Sequence, residues 1–110
     1  MPMIPVLDIQ HMSKQALLAH GASDGVASVM ARAIAWAEAR DNRICGLYYL
    51  ESYCLRRRTG GVDGTVTPDV QTPRPAEITV DAGHGFAQPA FTAALDRALE
   101  AARTHGIARL

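Results

Sequence analysis

The residues with the clearest chemical potential lie near the middle of the chain, in "NRICGLYYLESY", residues 42–53. The apolar pattern that follows predicts a helix over residues 47–58. On that helix Tyr49, Tyr53 and Arg56 share one face, because they are spaced four and three residues apart. Two phenols and a guanidinium could line a pocket for a small polar acid. They could equally form the rim of a core, where long side chains cover apolar neighbours while their polar ends reach water. The pattern favours the rim and leaves both interpretations open.

Residues capable of metal binding or nucleophilic chemistry are dispersed along the chain. Cys45 and Cys54 lack the spacing of a CxxC pair, and the four histidines show no ligand spacing with each other or with the cysteines. No serine stands in a nucleophile-elbow context. His84, flanked by two glycines, is the one histidine whose role the pattern leaves ambiguous. The sequence therefore predicts no metal site.

The segment "VDAGHGFAQPA" lies between a predicted strand and a predicted helix, where a dinucleotide-binding loop would lie. However, Gln88 occupies the position of the third glycine, and no following strand ends on an acidic residue. The pattern favours a loop in which the glycines only make the turn.

Composition and charge exclude several classes of partner. The chain has 110 residues, 48% of them hydrophobic, and a formal net charge of zero. Zero net charge argues against broad attraction to nucleic acid or anionic membranes. No apolar run is long enough to cross a membrane, and "MPMIPVLDIQ" lacks the basic start and apolar core of a signal peptide. We expect a cytoplasmic protein with reduced thiols and no nucleic-acid or membrane partner.

The periodic segments predict an α+β fold. The expected architecture is an N-terminal three-helix subdomain, residues 1–75, followed by the first βαβ unit of an α/β domain, residues 76–110. A Pro- and Gly-rich connector, "GGVDGTVTPDVQTPRP", closes the first part. The sheet is expected to be incomplete, since two strands and one helix cannot close a domain. The predicted helices cover residues 9–20, 24–40, 47–58 and 89–105, and the predicted strands cover residues 77–81 and 107–110.

Four motifs occur in an order found in one enzyme family. They are "QALLAHGASDGVASVMARAIAWAEA", "RDNRICGLYYLESY", the connector quoted above, and "ITVDAGHGFAQPAFTAALDRALEAARTHGIA". In order and spacing they resemble the N-terminal part of the malate/L-lactate dehydrogenase family. This family is unrelated to the Rossmann-fold lactate dehydrogenases, and it includes ureidoglycolate and sulfolactate dehydrogenases and cyclic-imine reductases. The resemblance covers nearly the whole chain.

The resemblance implies a homodimeric oxidoreductase that uses NAD or NADP and acts on a small 2-hydroxy, 2-oxo or 2-imino acid. It also implies that Cys45, Tyr49 and Tyr53 lie in the substrate site. Tyr53 matches the family motif directly. The family's Ser-His pair falls on Ile44 and Cys45, and its arginine falls on Tyr49, so a side chain that would hold a carboxylate through two hydrogen bonds is replaced.

The family's catalytic histidine lies beyond the motif that ends in "GIA", as do most cofactor contacts. We therefore expect residues 1–110 to resemble the first third of such an enzyme and to be inactive by themselves. The alternative, from a different class, is a non-catalytic helical module that pairs with itself or with a partner through unpaired sheet edges. The identity of the substrate and the choice between NAD and NADP stay open.

Overall fold

The computed structural model describes residues 3–110. Residues 1 and 2, which begin both the predicted helical subdomain and the segment compared with a signal peptide, lie outside the described residues. The chain divides into two compact units, of which the first ends at Thr65 and the second is Val66–Leu110. The predicted domain boundary near Pro75 stays a prediction. Among residues 3–110, no helix is long and apolar enough to cross a membrane.

The first unit is helical, and its first two helices begin at residues that accept hydrogen bonds from N–H groups of the first turn. The first helix starts earlier than predicted, because the Pro5 carbonyl accepts hydrogen bonds from the Asp8 and Ile9 N–H groups. The second follows Ser23, whose hydroxyl accepts a hydrogen bond from the Val26 N–H at 3.2 Å. The helices are α1 (Val6–Ala19), α2 (Asp24–Ala39) and α3 (Leu50–Arg58), with 3-10 turns at Arg43–Cys45 and Leu47–Tyr49 between α2 and α3.

Packing of α1 against α2 forms the core of the first unit. Leu17 on α1 and Met30 on α2 are fully buried, and Ile34 is almost completely buried. Small side chains on α2, such as Ala27 and Ala31, are also fully buried and allow the two helices to approach closely. The alanine-rich, 3.6-residue pattern of α2 therefore corresponds to a real buried stripe.

The second unit contains a β-hairpin and one long helix. The strands β1 (Asp69–Arg74) and β2 (Glu77–Asp81) pair antiparallel, with Val70 opposite Val80. Strand β1 lies inside the segment predicted to be a connector. Its one proline, Pro73, argues against a central strand but is compatible with an edge strand or a bulge. The register is irregular between Gln71 and Arg74, beside this proline.

Helix α4 (Ala87–His105) follows the hairpin, and the chain then returns to β2. Arg109 forms a parallel bridge with Glu77, in which the Ile78 N–H donates to the Arg109 carbonyl at 2.8 Å. The α+β class, with an N-terminal helical part and an incomplete sheet, is confirmed. The predicted apolar stripe of α4 is only partly buried: Ala94 is fully buried, whereas Phe91 and Leu99 are exposed.

Candidate functional site

The segment between α2 and α3 is held in place by a carboxylate. Oε1 of Glu38 accepts a hydrogen bond from the Leu47 N–H at 2.8 Å. Gly46 is buried beside this contact, and a Cβ at that position would collide with the Glu38 carboxylate. Glu38 and Gly46 together therefore fix where the chain turns into the segment that carries the tyrosines. Sequence reasoning missed Glu38, because its partner lies nine residues away and no local pattern signals the contact.

The structure brings the two predicted tyrosines together. The Tyr49 and Tyr53 rings stack with their centroids 5.9 Å apart and their planes at 24°. Tyr48 meets the Tyr49 ring edge-on, at 5.4 Å and 87°. Tyr53 packs against the buried cluster of Ile9, Ile34 and Ala35, while Tyr49 is 37% exposed. The pair thus has an inner ring anchored on the core and an outer ring that faces solvent.

Cys45 lies at the end of the first 3-10 turn and is exposed. Its backbone N–H donates to Oδ1 of Asn42 at 3.4 Å, so Asn42 caps this turn. Arg43, in the same turn, pairs with Asp41 at 3.2 Å. Cys45 is therefore held by its backbone, four residues before Tyr49, with its thiol accessible.

A groove between α1 and α3 forms a second feature of the same unit, which we call the α1–α3 groove. Its volume is about 500 Å³, and neither Cys45 nor the two stacked tyrosines line it. Burial raises the pKa of the Cys54 thiol in its wall, because a thiolate is poorly solvated there. The lining residues are Ala16, His20, Leu47, Leu50, Glu51, Cys54, Leu55 and Arg58.

The loop after β2 makes a tight turn. Oδ1 of Asp81 accepts a hydrogen bond from the Gly83 N–H at 2.8 Å. Gly83 and His84 have φ values of 58° and 62°, and a Cβ on Gly83 would lie 2.7 Å from a methyl group of Val66. Glycine is therefore needed at position 83, and the exposed His84 adopts a left-handed conformation that non-glycine residues rarely take. Within residues 3–110, no group of three His, Cys, Asp or Glu side chains could hold a metal ion.

Comparison with known proteins places the chain in a family. A family model described as malate/L-lactate dehydrogenase matches residues 4–110. The chain therefore belongs to the malate/L-lactate dehydrogenase family, which confirms the resemblance drawn from the motifs.

The curated relatives include reductases of cyclic imino acids. The Δ1-pyrroline-2-carboxylate/Δ1-piperideine-2-carboxylate reductase of Pseudomonas putida is 35% identical over 107 residues, which are 97% of this chain and 31% of that protein. The Δ1-pyrroline-2-carboxylate reductase of Ancylobacter novellus is 32% identical over 107 residues, again 97% of this chain and 31% of that protein. The chain thus spans about 31% of the length of these relatives.

Solved structures show the same fold. The Δ1-piperideine-2-carboxylate reductase of Pseudomonas syringae pv. tomato superposes with a TM-score of 0.90 at 30% identity, over 94% of this chain and 31% of that one. The malate dehydrogenase of Entamoeba histolytica gives a TM-score of 0.84 at 20% identity, over 94% of this chain and 29% of that one. The second likeness shows the fold alone.

Proposed function

We propose that this chain forms the N-terminal part of an NAD(P)-dependent reductase that acts on a small cyclic 2-imino acid. The observation that carries the proposal is the 35% identity to the Pseudomonas putida reductase along 97% of the chain. In the proposed reaction a hydride adds to C2 of the ring and a proton adds to the nitrogen, so that the C=N bond becomes a C–N single bond. NADH or NADPH supplies the hydride and is oxidised to NAD or NADP. We expect a cytoplasmic homo-oligomer, as the family resemblance implies.

The Tyr49–Tyr53 pair, with Cys45 beside it, is proposed as one edge of the substrate site. A protonated cyclic imine is a planar cation, and the face of a tyrosine ring attracts such cations. Because the core holds Tyr53 and Tyr53 supports Tyr49, the outer ring is positioned before any ligand arrives. Arg56, three residues beyond Tyr53, offers a cation for the substrate carboxylate in place of the family arginine that Tyr49 replaces.

The cofactor is proposed from the relatives alone. The turn at residues 83–85 carries no arginine or lysine for the phosphates of a dinucleotide. We therefore propose residues of this chain for contact with the substrate and name none for the cofactor.

The proposal is tested by assaying the native polypeptide that carries this sequence. The assay follows NADH or NADPH oxidation with Δ1-pyrroline-2-carboxylate, Δ1-piperideine-2-carboxylate, pyruvate or oxaloacetate as substrate. We expect the cyclic imines to give a higher kcat/KM than pyruvate or oxaloacetate. We also expect residues 1–110 alone to give no turnover, because hydride transfer needs a positioned proton donor as well. Faster reduction of the 2-oxo acids by the native polypeptide would contradict the proposal.

Variants of the tyrosines test the site. Tyr49→Ala is expected to lower kcat/KM for the imine about tenfold through loss of the cation–π contact, while Tyr49→Phe keeps most of the activity. Tyr48→Ala is the matched control, because it removes a ring that is 76% exposed. If Tyr48→Ala and Tyr49→Ala have equal effects, the stacked pair is not the substrate edge.

A further inference from the structure

The α1–α3 groove has the size of a small-molecule site and lies apart from the stacked tyrosines. Its volume of about 500 Å³ falls in the range of roughly 300–1,000 Å³ that is usual for ligand pockets. Leu47, Leu50 and Leu55 supply apolar walls. The remaining question is which chemistry the polar residues of the lining select.

Contacts between α1 and α3 place the charged residues at opposite ends of the groove. Nε of Arg57 donates to the Gly21 carbonyl at 3.1 Å, so the end of α3 lies beside the end of α1. At the other end, Leu47 and Leu50 pack against the cluster that contains Ile9, near the start of α1. The two helices therefore run side by side in the same direction.

One cationic side chain, that of Arg58, lies beside His20 at one end of this arrangement, and one carboxylate lies toward the other. Arg58 and His20 stand at the ends of their helices. Glu51 and Arg58 are seven residues apart, which is about 10 Å along an α-helix. A positive group and a negative group thus stand about two turns apart along an apolar wall.

These charges have no partners of their own. Among residues 3–110, neither Arg58 nor Glu51 forms an ion pair or a side-chain hydrogen bond. Nδ1 of His20 lies 2.8 Å from the Ala16 carbonyl oxygen. Because a carbonyl oxygen can only accept a hydrogen bond, Nδ1 is the donor, and Nε2 is the other polar atom of the ring. The Cys54 thiol between them stays neutral at neutral pH, because burial raises its pKa. The groove therefore presents one separated pair of charges on an otherwise uncharged surface.

We propose that the α1–α3 groove binds a small molecule with a carboxylate at one end of an apolar chain and an ammonium group at the other, an ω-amino acid. Arg58 receives the carboxylate, which its planar guanidinium can hold through two hydrogen bonds. Glu51 receives the ammonium group, and the leucine side chains cover the methylene groups. Because Glu51 and Arg58 are exposed to water, binding is weak, with a dissociation constant on the order of 1 mM.

The probe for this site is 6-aminohexanoate, whose charged ends lie roughly 7–8 Å apart when the chain is extended. Cys54 lines the groove and Cys45 does not, so the two thiols report on occupancy within one sample. Alkylation of the intact chain is followed by mass spectrometry with and without the probe. At a probe concentration ten times the dissociation constant, Cys54 is expected to react about tenfold more slowly, and Cys45 at an unchanged rate.

Two comparisons decide the result. Hexanoate and hexylamine carry one charge each and are expected to bind a few-fold more weakly, because hexanoate has no ammonium group for Glu51 and hexylamine has no carboxylate for Arg58. Arg58→Gln and Glu51→Gln are expected to weaken protection by 6-aminohexanoate similarly. Arg32→Gln, which changes an exposed arginine on α2 outside the groove lining, is expected to leave it unchanged.

The proposal is overturned if hexylamine or hexanoate protects Cys54 as well as 6-aminohexanoate does, because the groove then recognises only one charge or none. It is also overturned if Arg32→Gln matches Arg58→Gln, or if no probe protects Cys54 at tens of millimolar. The ligand series uses the unaltered chain, so it decides the question even where a variant folds poorly. Activity toward imines plays no part in this readout, so its failure is distinct from failure of the proposed reductase function.

Discussion

The two compact units differ in how each builds a core. In the first, α1 and α2 bury Leu17 and Met30 completely against each other. In the second, Ile78 is buried, but Phe91 and Leu99 on α4 stay about half exposed. Two amphipathic helices can bury apolar stripes mutually, whereas a two-stranded hairpin offers one narrow face to a long helix. The helical unit thus has a closed α1–α2 interface, although side chains such as Leu7 and Trp36 stay exposed at 76% and 58%. The long helix of the hairpin unit leaves part of its own predicted apolar stripe exposed.

The largest effect is expected from truncating the core of the first unit. Leu17→Ala should lower the free energy of unfolding by about 2–5 kcal/mol, because it leaves a cavity among fully buried neighbours. Leu18→Ala on the same helix, where the side chain is 39% exposed, should cost about 0.5 kcal/mol or less. Urea unfolding followed by circular dichroism measures both. Equal losses would show that the α1–α2 interface is not the core.

The exposed apolar side chains of the second unit are expected to drive self-association. Phe91, Leu99 and Ile107 are 54%, 45% and 73% exposed. Sedimentation of residues 1–110 over a concentration range should show reversible association, and the double variant Phe91→Ser/Leu99→Ser should weaken it by at least about tenfold. Ser52→Ala on α3 serves as a control outside this surface. A monomer at all concentrations would contradict the expectation.

A matched pair of substitutions compares the two units directly. Ile34 and Ile78 are 1% and 2% exposed, so isoleucine-to-valine removes the same methyl group from nearly equal burial. We expect Ile34→Val to cost toward the upper end of about 0.5–1.5 kcal/mol and Ile78→Val toward the lower end, because a hairpin with one helix can relax more easily around a small cavity than two closely packed helices can. Amide hydrogen exchange in α2 and β2 reports each loss locally. A larger loss at Ile78 would reverse the comparison.

The smallest effect concerns pH. The pKa of the Cys54 thiol is raised from its ordinary value of 9.0 by burial. As pH rises above about 9, the unfolded chain loses this proton while the folded chain keeps it, so the free energy of unfolding falls with rising pH. In Cys54→Ala this contribution should be absent, whereas Cys45→Ala should retain it. The measurement is the urea midpoint on both sides of pH 9, and identical slopes for the two variants would contradict the assignment.

The local pattern of the sequence determined most of the helical architecture. The Ser23 cap, the period of α2 and Gly106 after α4 predicted helices that the structure contains, because caps and apolar periodicity act within a few residues. The ordered motifs also determined family membership. Strand β1 was not predicted, because Pro73 within it argues against a central strand; the edge position that pairing with β2 provides tolerates a proline.

The geometry of the candidate sites depends on tertiary structure. The spacing of Tyr49 and Tyr53 placed them on one side of the chain, but only tertiary packing set Tyr53 against the core and stacked Tyr49 on it. The choice between a pocket and the rim of a core stays a prediction. Glu38 accepts a hydrogen bond from the Leu47 N–H, nine residues later in the sequence. His20 lines the α1–α3 groove together with residues of α3. Such contacts depend on how elements pack, and packing is set by the whole apolar surface of a unit, which no short window of sequence contains.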